Sequence, residues 1–147
     1  MIPLTVPPGP AEISVTSPYG NARREITIRD VAPAIFTIGP DQAAVANQDN
    51  RLNTPASPAI RGSFLVIYAT GLGAVSRVGA LDRVVTPVTA VIGGAEIPAA
   101  FAGLTPGSIG LYQANVQVPA SLPPGLSLPL YLKQASAVSN TVRVAIQ

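Results

Sequence analysis

The stretch AVANQDNRLNTPASPAIRG, residues 44–62, gathers three Asn, one Gln, one Asp and two Arg. Side-chain amides both donate and accept, and a carboxylate accepts, so Asn47, Asp49 and Asn53 have the groups to grip a sugar or a metal ion. A second set lies in LYQANVQV (111–118), where Gln113, Asn115 and Gln117 recur at every second residue. On a strand that spacing puts all three on one face, a polar ladder able to hydrogen-bond a glycan. Lys133, the only lysine, is followed by Asn140. A buried Lys and Asn can condense into a crosslink with help from a carboxylate, but no acid stands near Lys133 in sequence, and a solvent-facing lysine is expected.

Each set also has a purely architectural reading. Asp49-Asn50 tolerate positive φ and suit a two-residue type I′ turn between QAAVANQ and RLN. Asn47 and Asn53 then flank the turn, bonding local backbone, and Thr54–Pro58 is a Pro-stiffened crossover. Calcium wants several carboxylates on neighbouring positions, and Asp49 is alone. The ladder reads equally well as the wet face of a half-buried strand. A sugar site would add exposed aromatics for stacking, and the chain has four Tyr, three Phe and no Trp.

The chemistry that remains is sparse. There is no His and no Cys, which removes the commonest general base and every Ser-His or Cys-His nucleophile system. The acids are Glu12, Glu25, Asp30, Asp41, Asp49, Asp82 and Glu96, most of them at turns or exposed strand positions. TGLG (70–73) invites comparison with a phosphate loop, yet AVSRVGALD behind it does not read as a helix, so no helix N-terminus awaits an anion. The expectation is a non-enzymatic chain with no catalytic residue, no metal site and no cofactor.

The elements that must position these residues are short. Sixteen Pro and thirteen Gly in 147 residues exclude long helices, since a helix-interior Pro costs about 3 kcal/mol. With 48% hydrophobic but only 5% aromatic residues, the core must be built from Val, Ile, Leu and Ala. FLVIYA (64–69) fits a central strand covered on each side, and Gly93-Gly94 marks a two-residue hairpin. A net charge of +2 without a Lys/Arg stripe argues against nucleic acid as a partner. No apolar run approaches a membrane span, and MIPLTVPPGP lacks the features of a signal peptide. The fold class expected is all-β.

The chain also repeats itself. Pro3–Val31 aligns with Pro119–Gln147 without a gap, bringing PPG onto PPG and Ile26 and Ile28 onto Val142 and Val144. Residues 1–31 thus read as the closing hairpin of an upstream copy, with EISVT and EITIR as its strands. Residues 32–147 read as one complete module. The hairpin's Ile13, Val15, Ile26 and Ile28 then need a partner, which makes them candidate module–module contacts. The partner is the chain's own body, with the second apolar face of Phe64–Ala69 as the candidate surface, a neighbouring module of the same polypeptide, or a second molecule in a head-to-tail homo-oligomer.

VAPAIFT, NQDNRLNTPASPAIRGSFLVIYATGLGAV, VTAVIGG, GLYQANVQVP and SNTVRVAIQ resemble an uncharacterised C-terminal domain family of large predicted secreted proteins from soil Acidobacteria. The family's usual Asp-Gly is Asp49-Asn50 here, its Asn-Pro is Ser57-Pro58, and its acidic, Pro-rich loop is replaced at 74–84 by one carrying Arg77 and Arg83. The resemblance implies an immunoglobulin-like β-sandwich with TIG-type topology, preceded here by the extra hairpin. It also implies a secreted or cell-surface location, and no catalytic residue. The function expected is a structural or spacer module, with an adhesive or carbohydrate-binding module as the alternative.

Overall fold

The computed structural model describes residues 6–147, and every regular element among them is a β-strand. The chain divides into two compact units, Met1–Asp30 and Val31–Gln147.

The first unit is a two-stranded antiparallel ribbon. β1 (Gly9–Ser17) and β2 (Gly20–Ile28) run in unbroken register from Gly9 opposite Ile28 to Ser17 opposite Gly20, joined by Pro18-Tyr19. Directly opposed residues share a face. One face therefore carries Ala11, Ile13, Val15, Ala22, Ile26 and Ile28, with Arg24 its one charge. The other carries the acids, hydroxyls and Arg23, which pairs with Glu12 at 3.5 Å. Ile13 and Val15 are exposed.

The second unit is a β-sandwich. β3 (Ala34–Ile35), β4 (Val45–Asn47), β5 (Phe64–Thr70), β6 (Val75–Val78), β7 (Leu81–Val84), β10 (Phe101–Leu104) and β11 (Tyr112–Gln117) form a seven-stranded sheet. β8 (Thr89–Ile92), β9 (Ala95–Pro98), β12 (Gly125–Gln134), β13 (Ala137–Val138) and β14 (Val142–Ile146) form a five-stranded one. The larger sheet is ordered β3-β5-β11-β10-β7-β6, with β4 on the same edge of β5 as β3; the smaller is β13-β12-β8-β9, with β14 continuing the β13 edge of β12. The chain changes sheets between β9 and β10, where the Ala99 N–H reaches the Val88 carbonyl and the Ala100 N–H that of Asn115.

Alternation along each strand puts one set of side chains between the sheets. Leu65, Ile67, Ala69, Ala114 and Val116 of the larger sheet are fully buried, as are Ala90, Ile92, Leu130 and Leu132 of the smaller. Each buried Leu, Ile or Val contributes about 1.5–3 kcal/mol of apolar transfer free energy. Tyr112 is the one aromatic in this core among the described residues. Its hydroxyl donates to the Gly73 carbonyl at 2.6 Å, and burial pushes the phenol's pKa above the ordinary 10.0.

Two turns show how sequence sets the connections. Gly93 and Gly94 both take positive φ (57° and 89°) between Ile92 and Ala95, the two-residue turn expected there. At Asp49-Asn50 the expected type I′ turn gives way to a three-residue loop. Only Asn50 has positive φ (63°), its N–H bonds the Asn47 carbonyl, and the Asn47 N–H bonds that of Arg51. This is a type I turn closed by a left-handed residue, which needs one special backbone position instead of two. At TGLG, β6 follows and not a helix. Gly71 (φ 74°) lies so close to Ala32 that an added Cβ would sit 2.0 Å from the Ala32 carbonyl oxygen.

Asn50→Gly should therefore leave stability unchanged or raised, whereas Asn50→Val should cost about 1–2 kcal/mol in urea unfolding, because a β-branched residue resists positive φ. Equal tolerance of both would contradict this turn. Tyr112 predicts a pH effect. Its folded pKa is the higher, so its contribution is complete below the unfolded phenol's pKa and is lost as pH rises through the folded value. Tyr112→Phe should flatten the alkaline fall in melting temperature; an unchanged alkaline slope would assign that fall elsewhere.

Candidate functional site

The cluster at 47–53 is spent inside the fold. Asn53 is fully buried and Asn47 nearly so. Asn53 Nδ2 donates to the Ala145 carbonyl and its Oδ1 accepts from the Ala145 N–H, both at 2.8 Å. The same Nδ2 also donates to Asn47 Oδ1 at 2.8 Å, and Asn47 Nδ2 donates to the Ser57 carbonyl at 2.8 Å. The expectation that Asn53 bonds only local backbone is thus corrected: its main partner lies 92 residues away.

That partner is on the outer edge of β14. Residues 41–43 run parallel to β14, the Arg143 N–H reaching the Asp41 carbonyl at 2.8 Å. Residues 59–61 do the same further along, the Gln147 N–H bonding Ala59 and the Arg61 N–H bonding Gln147. The main chain detours away between these two stretches. The Ala59 N–H still reaches the Ala145 carbonyl at 2.9 Å, and the Asn53 amide fills the gap by accepting from the Ala145 N–H and adding a second donor to that carbonyl.

Asn140 makes a second clip of the same kind. Its Oδ1 accepts from the Ile35 N–H at 2.7 Å and its Nδ2 donates to the Ile35 carbonyl at 3.1 Å. Lys133 instead meets Glu96, an acid that sequence spacing did not bring near it, at 2.6 Å. The hydrogen bond and charge of Glu96 raise the lysine's pKa. The lysine pairs at the surface while the asparagine amide is engaged on Ile35, an arrangement without the buried Lys-Asn-acid geometry that a crosslink requires.

Asp49 is exposed, its Oδ1 accepting from the Arg51 N–H and its other oxygen 3.6 Å from the Arg51 guanidinium. Among the described residues, no three acids come together where they could hold a metal ion.

The ladder on β11 has a different setting. Tyr112, Ala114 and Val116 point into the core, and Gln113, Asn115 and Gln117 point out of the larger sheet. Gln117 Nε2 donates to the Gly62 carbonyl at 2.9 Å, and Gln113 Nε2 to Asn115 Oδ1 at 3.2 Å. On the flanking strands Tyr68 stands opposite Gln113, Val66 opposite Asn115 and Phe64 opposite Gln117, while Phe101 faces Asn115 from the other side. The Arg83 guanidinium lies 5.2 Å from the centre of the Phe101 ring. Aromatics and amides thus share one face, a juxtaposition that depends on the order β5-β11-β10 and is not visible in any one strand.

No family model, curated protein or solved structure matches this chain.

Asn53→Ala should cost about 2–4 kcal/mol in urea denaturation, because it leaves the Ala145 N–H without an acceptor and Asn47 Oδ1 without its donor in the interior, while the Ala145 carbonyl keeps the Ala59 N–H at 2.9 Å. A loss within about 0.5 kcal/mol would show that β14 holds without the clip.

Proposed function

We propose that this chain is a non-enzymatic structural module of an exported or cell-surface protein, built as an immunoglobulin-like sandwich of the acidobacterial type it resembles. In this reading its β1–β2 ribbon closes the module that precedes it in a tandem array. The observation that carries the reading is a shared register. In the ribbon, Gly9 faces Ile28, Ala11 faces Ile26 and Ile13 faces Arg24. In the second unit's closing strands, Gly125 faces Ile146, Leu128 faces Val144 and Leu130 faces Val142.

Over these three pairs the two patterns superimpose once a bulge between Gly125 and Leu128, which β1 lacks, is allowed for; beyond Leu130 an extra residue between Val138 and Val142 breaks the match. In this reading Ile26 and Ile28 correspond to Val144 and Ile146, one pair further along than in the gapless alignment. Leu130, Val144 and Ile146 are buried by the sandwich, so their counterparts Ile13, Ile26 and Ile28 ask for a sandwich of their own, while buried Val142 has the charged Arg24 as its counterpart. Burial would also offset the marginal stability of an isolated two-stranded ribbon.

The test is a fusion in which residues 32–118 are placed directly before Pro3, so that the ribbon stands where Pro119–Gln147 stands in the module. The expected product contains two protease-resistant domains, and Ile13→Asp or Val15→Asp unfolds only the first. If the added segment stays protease-sensitive with the native ribbon behind it, the ribbon does not close a module.

A further inference from the structure

The outward face of the larger sheet supports a second role, independent of the ribbon. The geometry points to a binding site for a neutral, linear polysaccharide, formed by the amides of Gln113 and Asn115 between the rings of Tyr68 and Phe64.

The centre of the face is polar and its surround is apolar. Gln113 and Asn115 sit on β11, a central strand, and the Gln113–Asn115 bond at 3.2 Å is the one side-chain hydrogen bond they make among the described residues. The Gln113 carbonyl and the Asn115 NH2 remain available, one an acceptor and the other a donor. Around them lie Tyr68, Val66, Phe64 and Phe101 on the adjoining strands, each partly exposed. Phe36, more exposed, extends the surface beyond Tyr68, whose carbonyl its N–H bonds at 3.0 Å. A protein–protein interface has the opposite layout, an apolar core within a polar rim.

A sugar ring matches this arrangement group for group. Its C–H face packs on an aromatic ring, and its hydroxyls, each donor and acceptor, suit an amide's paired C=O and NH2. Tyr68 and Phe64 are four residues apart on one strand, about 13 Å, a span that suits an extended chain of several sugars lying along β11 better than a single ring.

Charge selects the neutral class. Of the residues facing outward on β5, β11, β10 and β7, Arg83 alone is charged. Its guanidinium is engaged with the Phe101 ring and donates to the Ala100 carbonyl at 2.9 Å. A carboxylated glycan would find no free cation there, and a cationic one no acid.

Affinity electrophoresis of the full chain in gels containing hydroxyethylcellulose, xylan or galactomannan, with alginate as the carboxylated control, tests the site. Retardation is expected in at least one neutral gel and not in alginate. Tyr68→Ala and Gln113→Ala should each weaken it by about tenfold, and Tyr68→Phe should preserve it. Gln113→Ala and Asn115→Ala remove only outward amides, so they decide the matter if Tyr68→Ala fails to fold. Ile13→Asp, on the ribbon, should leave retardation unchanged, which separates this site from the module-closing role. No retardation in any neutral gel, retardation in alginate alone, or retardation indifferent to Gln113→Ala and Asn115→Ala would overturn the proposal. Self-association by sedimentation that Tyr68→Ala abolishes would also overturn it, by giving the face to a second copy.

Discussion

The sandwich depends on the pairing of Asn53 with Ala145. β14 is bonded to β12 along one edge, and its other edge lies against residues 41–43 and 59–61 without a continuous strand beside it. An unpaired buried N–H at the break, that of Ala145, would cost more than most single contacts return. One amide side chain supplies the missing acceptor, shares the Ala145 carbonyl with the Ala59 N–H, and is itself held by Asn47, whose own NH2 is anchored on Ser57. The turn around Asn50 sets Asn47 and Asn53 on the two arms of one loop. A polar cluster that looks like a ligand cage is thus the piece that lets the last strand fit.

The strands themselves were legible because period-2 alternation reports directly on burial. LYQANVQV gives its inward and outward sets correctly, and Gly93-Gly94 names its turn. What escaped depends on pairing across distance. Whether a two- or three-residue loop forms at Asp49 is decided by which carbonyl the Asn50 N–H reaches, and both loops accept Asp-Asn. Nothing near Asn53 or Asn140 distinguishes an amide that caps a turn from one that clips a strand about a hundred residues away. Glu96 meets Lys133 only because β8 lies between their strands.

The candidate site follows the same division. The ladder Gln113-Asn115-Gln117 is readable from spacing, but the rings beside it are not, since Phe64, Tyr68 and Phe101 come from other strands. Composition prepared this outcome. A core packed from Ala43, Ala69, Ala90 and Ala114 among Leu, Ile and Val leaves little room for rings between the sheets. Apart from Tyr112, the aromatics lie toward the surface, where rings become surfaces for recognition.

The seam at β14 also fixes an order of events during synthesis. Residues 41–43, Asn53 and residues 59–61 all wait for partners in residues 143–147, some ninety positions later. Until those residues leave the ribosome, the edge they will cover stays open, and the smaller sheet lacks the strand that seals it. Contacts of such long sequence separation slow folding, because loop closure is paid before any of them forms. The module stays unfinished until residues 143–147 have been made, and a chaperone that shields open strand edges has most to do in that interval.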